Sequence, residues 1–196
     1  MERHGAAERV LGIVGGTGPE STIDYYRSLV ATWRRRRPDG SYPRVIIDSI
    51  EAGRVFASLA AGEFDAVGRE LGPAVAALAA AGCQRALLAS NASHLAFELI
   101  DPPPSVELIH IVDAARDEAR RAGYRRLGLI GTRFVVESDL YPARLAPDGI
   151  QTSGSGTETF RGGFTICTKA VSPAAGAKLV DRAGAVGDPP CAGSTT

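Results

Sequence analysis

Short apolar runs that alternate with stretches of helical spacing constrain the fold of this chain more than any other feature. The runs cover residues 10–14, 45–50, 85–89, 108–112 and 127–130. Between the first two, residues 21–35 place Ile23, Tyr26, Leu29, Val30 and Trp33 at helical intervals, as in an amphipathic helix. Residues 63–81 form an alanine-rich helical pattern, with a bend expected at Pro73 and a stop at Gly82. Residues 113–122 form another, which Gly123 ends. Strands alternating with helices predict parallel βαβ units and an α/β fold.

The consecutive prolines of residues 101–105 (DPPPS) cannot sit inside a helix, and they stiffen a crossover. Three βα units precede them and a new series follows. The expected architecture is therefore two stacked α/β lobes, residues 1–100 and 101–196, rather than one wide sheet. Each would be a short parallel sheet flanked by helices. An irregular tail is expected from about residue 151, because residues 153–163 are mostly Gly, Ser and Thr. Residues 169–186 leave room for one helix after Pro173.

Lys and Arg together number 22, as do Asp and Glu, and the formal net charge is zero. That argues against a dedicated binder of nucleic acid or anionic membrane. The basic run at residues 34–37 has no interleaved stacking aromatics and closes a helical pattern. It reads better as charge complementing a helix C-terminus than as a nucleic-acid handle. Cys83, Cys167 and Cys191 make an odd count without metal-like spacing, which fits a reducing cytoplasm rather than a disulfide or zinc framework. The opening MERHGAAERV has no apolar core, so no signal peptide is expected. No apolar run approaches membrane-spanning length.

Two segments carry the chemistry. Residues 12–22 (GIVGGTGPEST) read as a strand, a tight glycine turn and a helix start. Glycines permit positive φ and close approach, Pro19 suits the first helical turn, and free N–H groups there would hold an anion. The plainer reading is an ordinary βα turn. A phosphate-binding Walker loop is excluded because no Gly-Lys-Ser/Thr follows. A dinucleotide fingerprint fits poorly. Gly16 and Gly18 lack the third glycine, Ser21 standing there, and Asp48 lies thirty residues past Gly18 where about 20 is expected.

The second segment is residues 87–94 (LLASNASH). A buried run stops abruptly at Ser90, Asn91, Ser93 and His94, and in parallel α/β proteins ligands bind where strands end. Ser90 offers a hydroxyl where a reactive group is expected. His94 reads either as a base for it or, more commonly for such a histidine, as a structural hydrogen-bonder.

Taken in order, these segments resemble the aspartate/glutamate racemase family. Its GGMGP-like turn is matched by GGTGP, with Thr17 in place of methionine. Its CNTAH-like strand end is matched by Ser90-Asn91-Ala92-Ser93-His94, and its apolar HI segment by Ile109-His110-Ile111. A strand ending in Gly-Thr is matched by Gly131-Thr132. The resemblance covers roughly residues 11–150.

It implies that the two lobes are pseudo-symmetric with the active site between them, in a cofactor-independent enzyme, expected as a homodimer, whose substrate is a small amino acid or carboxylate. Family members remove and replace the α-proton with two cysteines, one from each lobe. Ser90 stands at the first cysteine position. Ser194, within Gly193-Ser194-Thr195, stands at the second, GCTEL-like one. A serine hydroxyl is far less acidic than a thiol and needs an activating base. Cys191 lies near the second position but off the motif, and Cys83 precedes its strand and reads as structural.

The resemblance assigns substrate contacts to Thr17, Arg54, Asn91, Ala92, Ser93, Thr132, Lys169 and Thr195. Ala92 replaces the family threonine and loses a hydroxyl. The family helix after the GCTEL-like segment has no counterpart, which implies an incomplete second lobe, by truncation, frame disturbance or divergence. The expected function is racemisation of an acidic amino acid such as aspartate or glutamate. The alternative is a silent or repurposed homologue that binds a small carboxylate.

Overall fold

The computed structural model describes residues 10–154 and the backbone of residues 164–167. Strand β1 (Leu11–Gly15) lies between β2 (Val45–Ser49) and β3 (Arg85–Leu88), and β4 (Glu107–Ile109) extends the sheet in the order β2-β1-β3-β4. A second sheet has β5 (Arg126–Ile130) between β6 (Gln151–Gly154) and β7 (Phe164–Cys167). Every pairing is parallel. This is the α/β architecture expected from the alternating pattern.

The period-two alternation of β1 and β3 builds two cores. Leu11, Ile13, Leu87 and Ala89 face one of them. There they meet Tyr25, Leu29 and Trp33 of α1 (Pro19–Arg36), Val112 of α4 (Ile111–Ala122), Leu127 and Leu129 of β5, and Tyr141 of α6 (Leu140–Leu145). Val10, Val14, Ala86 and Leu88 face the other, against α2 (Gly53–Ala61) and α3 (Phe64–Ala80). Both faces of a parallel sheet must be covered. Here the second sheet shares the cover of one face. Each fully buried Leu or Val contributes about 1.5–3 kcal/mol of transfer free energy.

Local chemistry sets the helix ends. Gly123 closes α4 at φ +73°, and its N–H reaches back to Ala119 and Arg120, a left-handed cap that glycine adopts without strain. The basic residues Arg34, Arg35 and Arg36 fill the last turn of α1, and the Arg37 guanidinium lies 4.9 Å from the centre of the Trp33 ring. The run thus caps a helix. Pro73 lies inside α3 and the helix continues through it to Ala80.

The structure corrects three expectations. The fourth strand ends at Ile109 rather than continuing to Val112. The Nδ1 atom of His110 accepts the Val112 N–H at 3.1 Å, so Ile111 and Val112 open α4. The prolines of residues 101–105 do not mark a change of sheet: β4 follows them and pairs with β3, so the chain leaves the first sheet only through α4. The irregular tail expected from residue 151 contains two strands, because β6 and β7 both pair with β5. The helix expected within residues 169–186 lies outside the described residues.

Candidate functional site

The glycine turn and the SNASH segment sit side by side because β1 and β3 are parallel and Val14 is in register with Leu88. The Ala89 N–H donates to the Val14 carbonyl at 2.9 Å, which carries the pairing one residue further. The Ile50 N–H donates to the Gly15 carbonyl at 3.1 Å and brings the end of β2 to the same edge. Gly16 is at φ +90°, and a Cβ there would lie 2.2 Å from the Ile50 carbonyl oxygen, so only glycine fits. Thr22 pins the turn: its Oγ1 accepts the Gly16 N–H at 3.1 Å and donates to the Gly18 carbonyl at 3.3 Å. Thr17 lies in this turn and is buried. Pro19 opens α1, as its missing N–H suits.

After β3 the chain enters a 3₁₀ segment, Ala92–Leu99. Ser90 is half-buried, and its Oγ accepts the Ser93 N–H at 3.3 Å. Ser90 thereby does the local capping. The carboxamide of Asn91, the residue directly before the segment, makes no cap hydrogen bond. Its Oδ1 instead accepts from the Tyr141 hydroxyl of α6 at 2.5 Å. Ser93 Oγ is buried and has no partner among the described residues. Ala92 is half-buried and packs against both cores.

His94 takes the structural role. Its Nδ1 lies 2.7 Å from the Ser90 carbonyl oxygen, and since a carbonyl only accepts, that nitrogen carries the proton. Burial lowers its pKa to about 4, chiefly by desolvation. His94 therefore stays neutral near pH 7, tied to the Ser90 backbone rather than to the hydroxyl. His110 is lowered to about 2, again mainly by burial, with neighbouring positive charge adding to it. The rings of His94, Phe97 and His110 pack together, with centroids 4.5–5.5 Å apart.

Other candidates lie elsewhere. Thr132 follows β5, is exposed, and uses its carbonyl to accept the N–H groups of Val135 and Val136 at the start of α5 (Arg133–Val136). That short helix contacts the 3₁₀ segment, so the Gly131-Thr132 turn approaches the site. Arg54 does not converge on it: Nη1 lies 3.7 Å from Glu70 Oε1, with the side chain 80% exposed. Glu51 accepts the Gly53 N–H at 2.7 Å and so serves the start of α2. Lys169, Ser194, Thr195 and Cys191 lie outside the described residues. Cys83 is buried beside Leu78, and desolvation raises its thiol pKa, as befits a structural cysteine.

A cavity of about 230 Å³ lined by Arg120, Tyr124, Arg125 and Asp148 lies beside the starts of β5 and β6 and includes none of the candidate site residues. Among the described residues, no group of three or more His, Cys, Asp or Glu is placed to hold a metal ion, and no helix is long and apolar enough to cross a membrane. Tyr141 was not a sequence candidate. Its hydroxyl reaches Asn91 across fifty residues of chain, and nothing in DLYPARL marks it apart from an ordinary core aromatic.

Three solved structures share the fold. A candidate Asp/Glu racemase from Yersinia pestis is 27% identical with a TM-score of 0.68, over 74% of this chain and 64% of that one. An aspartate racemase homologue from Pyrococcus horikoshii OT3 is 29% identical with a TM-score of 0.64, over 76% and 65%. The aspartate racemase of Picrophilus torridus is 20% identical with a TM-score of 0.62, over 74% and 62%, a likeness of fold alone. The chain thus spans just under two thirds of the length of these relatives. Residues 14–191 match the family model described as Asp/Glu/Hydantoin racemase. That span takes in the SNASH strand end, the Gly-Thr turn and most of the glycine turn, and the chain belongs to the Asp/Glu/hydantoin racemase family.

Proposed function

We propose that this protein is a cofactor-independent amino-acid racemase acting on a small acidic amino acid such as aspartate or glutamate. The observation that carries the reading is the junction of the glycine turn with Ser90-Asn91 at the adjacent ends of β1 and β3. A substrate seated there has Thr17, Asn91 and Ser93 for its carboxylate, and Thr132 across the gap. Lys169, Thr195 and a reoriented Arg54 are the candidates for the second carboxylate. One face of the α-carbon loses its proton and the opposite face regains one, so no electron acceptor is needed. Ser90 and Ser194 are the groups that would face the two sides. The reading includes a homodimer in the cytoplasm, with no nucleic-acid or membrane partner.

Ser90 favours a second reading, a silent homologue that binds the carboxylate without turnover. No base among the described residues is hydrogen-bonded to its hydroxyl, and His94 is committed to the backbone. The surroundings remain suited to a thiolate, however. The Ser93 N–H points at the Oγ position, and a donor aimed at the charged form lowers a pKa. The test is α-proton exchange of L-aspartate and L-glutamate in deuterium oxide, followed by NMR. Exchange by the native chain supports the racemase. No exchange by the native chain, with exchange gained in Ser90→Cys, supports the silent scaffold. No exchange in either, at high protein concentration, overturns racemisation of these substrates.

A further inference from the structure

We propose that Tyr141 is a positioning residue that fixes the Asn91 carboxamide with its oxygen turned inward, so that Asn91 presents only N–H donors to a ligand. The inference rests on the carboxylate-binding site proposed above and adds what sets the polarity of its asparagine. A free asparagine side chain offers either an acceptor or two donors, and rotation about its last torsion exchanges them. Here one orientation is favoured. Tyr141 is 1% exposed and its hydroxyl proton has Asn91 Oδ1 as acceptor at 2.5 Å. The reversed amide could donate to the phenolic oxygen, but it would take the Asn91 acceptor away from the hydroxyl proton, which is costly for a buried donor.

Two further observations separate this bond from ordinary core filling. Asn91 occupies the position where an asparagine commonly caps a helical turn through its own side chain, yet that bond is absent and Ser90 Oγ receives the Ser93 N–H instead. The carboxamide is thus free of local structural work. The tyrosine also comes from α6, which packs beside β6 of the second sheet. The bond spans the junction of the two sheets at the place where a ligand would sit. Burial raises the Tyr141 pKa far above neutrality, so it remains a donor throughout the working range of pH.

A donor-only Asn91 selects an acceptor, and a carboxylate oxygen fits where a carboxamide NH2 does not. The test compares L-aspartate with L-aspartic acid α-amide, in which the α-carboxylate alone becomes a carboxamide, by calorimetric titration. The native chain is expected to prefer aspartate. Tyr141→Phe is expected to reduce that preference about tenfold, the effect of one hydrogen bond to a charged group. Asn91→Asp, when ionised, keeps an acceptor for the tyrosine but removes the donors, so it is expected to lose aspartate binding; the buried charge also lowers its unfolding midpoint at neutral pH.

A readout without ligand accompanies these. The Asn91 side-chain NH2 pair in a nitrogen–proton NMR spectrum is expected as two sharp resonances in the native chain. Their exchange with each other should accelerate in Tyr141→Phe. Unchanged amide exchange, or an unchanged preference for aspartate, overturns the inference. If Tyr141→Phe does not fold, the Asn91→Asp result stands in its place: aspartate binding retained overturns the inference. A native chain whose Asn91 amide is held by Tyr141 but which binds neither compound overturns the proposed function and, with it, the selection of a carboxylate.

Discussion

The two faces of the first sheet are covered by different chemistry. One face meets α2 and α3 through Val10, Val14, Ala86 and Leu88, in a buried cluster of aliphatic side chains with the Cys83 thiol. The other meets α1, α4, α6 and the second sheet, and its core holds the hydroxyls of Tyr25 and Tyr141. An apolar core is tolerant of repacking and specifies little beyond shape. A buried polar pair must be satisfied in one geometry, so it ties particular residues together. The first face is therefore scaffold, and the second is where the fold holds Asn91 in a chosen orientation.

The largest effects probe whether the faces act independently. Leu87 and Leu88 are neighbours on β3, each 1% exposed, and they point to opposite cores. Truncating either to alanine is expected to cost about 2–5 kcal/mol in chemical denaturation. Only Leu87→Ala should also shift the Asn91 NH2 resonances, because its face carries Tyr141. Equal shifts from Leu88→Ala would show that the two cores are mechanically one.

Acid comes next, through the histidines beside the site. The folded-state pKa of His94 is about 4, below the ordinary value of about 6.5 expected when unfolded. The unfolded chain therefore binds more protons between these values, and stability falls as pH drops through that window. The shift corresponds to roughly 3 kcal/mol lost by pH 4. His110, lowered to about 2, adds to the loss across the same window and continues it below pH 4, and its protonation also removes the acceptor that starts α4. Urea midpoints at pH 7.5 and 4.5 measure the slope. A His94 or His110 ring that titrates near pH 6.5 by NMR would break the account.

Much of this was legible in the sequence, for a physical reason. Strands buried on both faces are apolar runs, so β1, β3 and β5 announce themselves, and Gly123 announces a left-handed cap. What escaped depends on partners distant in sequence. Strand β6 reads QTSG, and its strand conformation comes from the ladder to β5 rather than from any apolar pattern. Strand β4 stops early because a histidine side chain, not a proline or glycine, caps the next helix. SNASH was legible as the end of a buried strand. The Tyr141 partner was not, because fifty residues separate the two groups. Nor was the direction of Arg54, which turns toward Glu70 of a neighbouring helix.

The smallest effect sharpens the comparison most, because it sets two buried tyrosines of one core against each other. Tyr141→Phe leaves Asn91 Oδ1 without its donor and is expected to cost about 1–3 kcal/mol. The Tyr25 hydroxyl is also fully buried, but it has no hydrogen-bond partner among the described residues. Burial and the nearby Tyr141 both raise its pKa, so it stays neutral and uncompensated. Removing an unsatisfied polar atom without changing the ring recovers its desolvation penalty. Tyr25→Phe is therefore expected to be neutral or to stabilise the fold by up to about 1 kcal/mol, with the Asn91 NH2 resonances unmoved. A loss as large as that of Tyr141→Phe would mean that the Tyr25 hydroxyl is satisfied, by ordered water or by a residue outside those described. The polar chain would then run from α1 through α6 to Asn91 rather than ending at Tyr141.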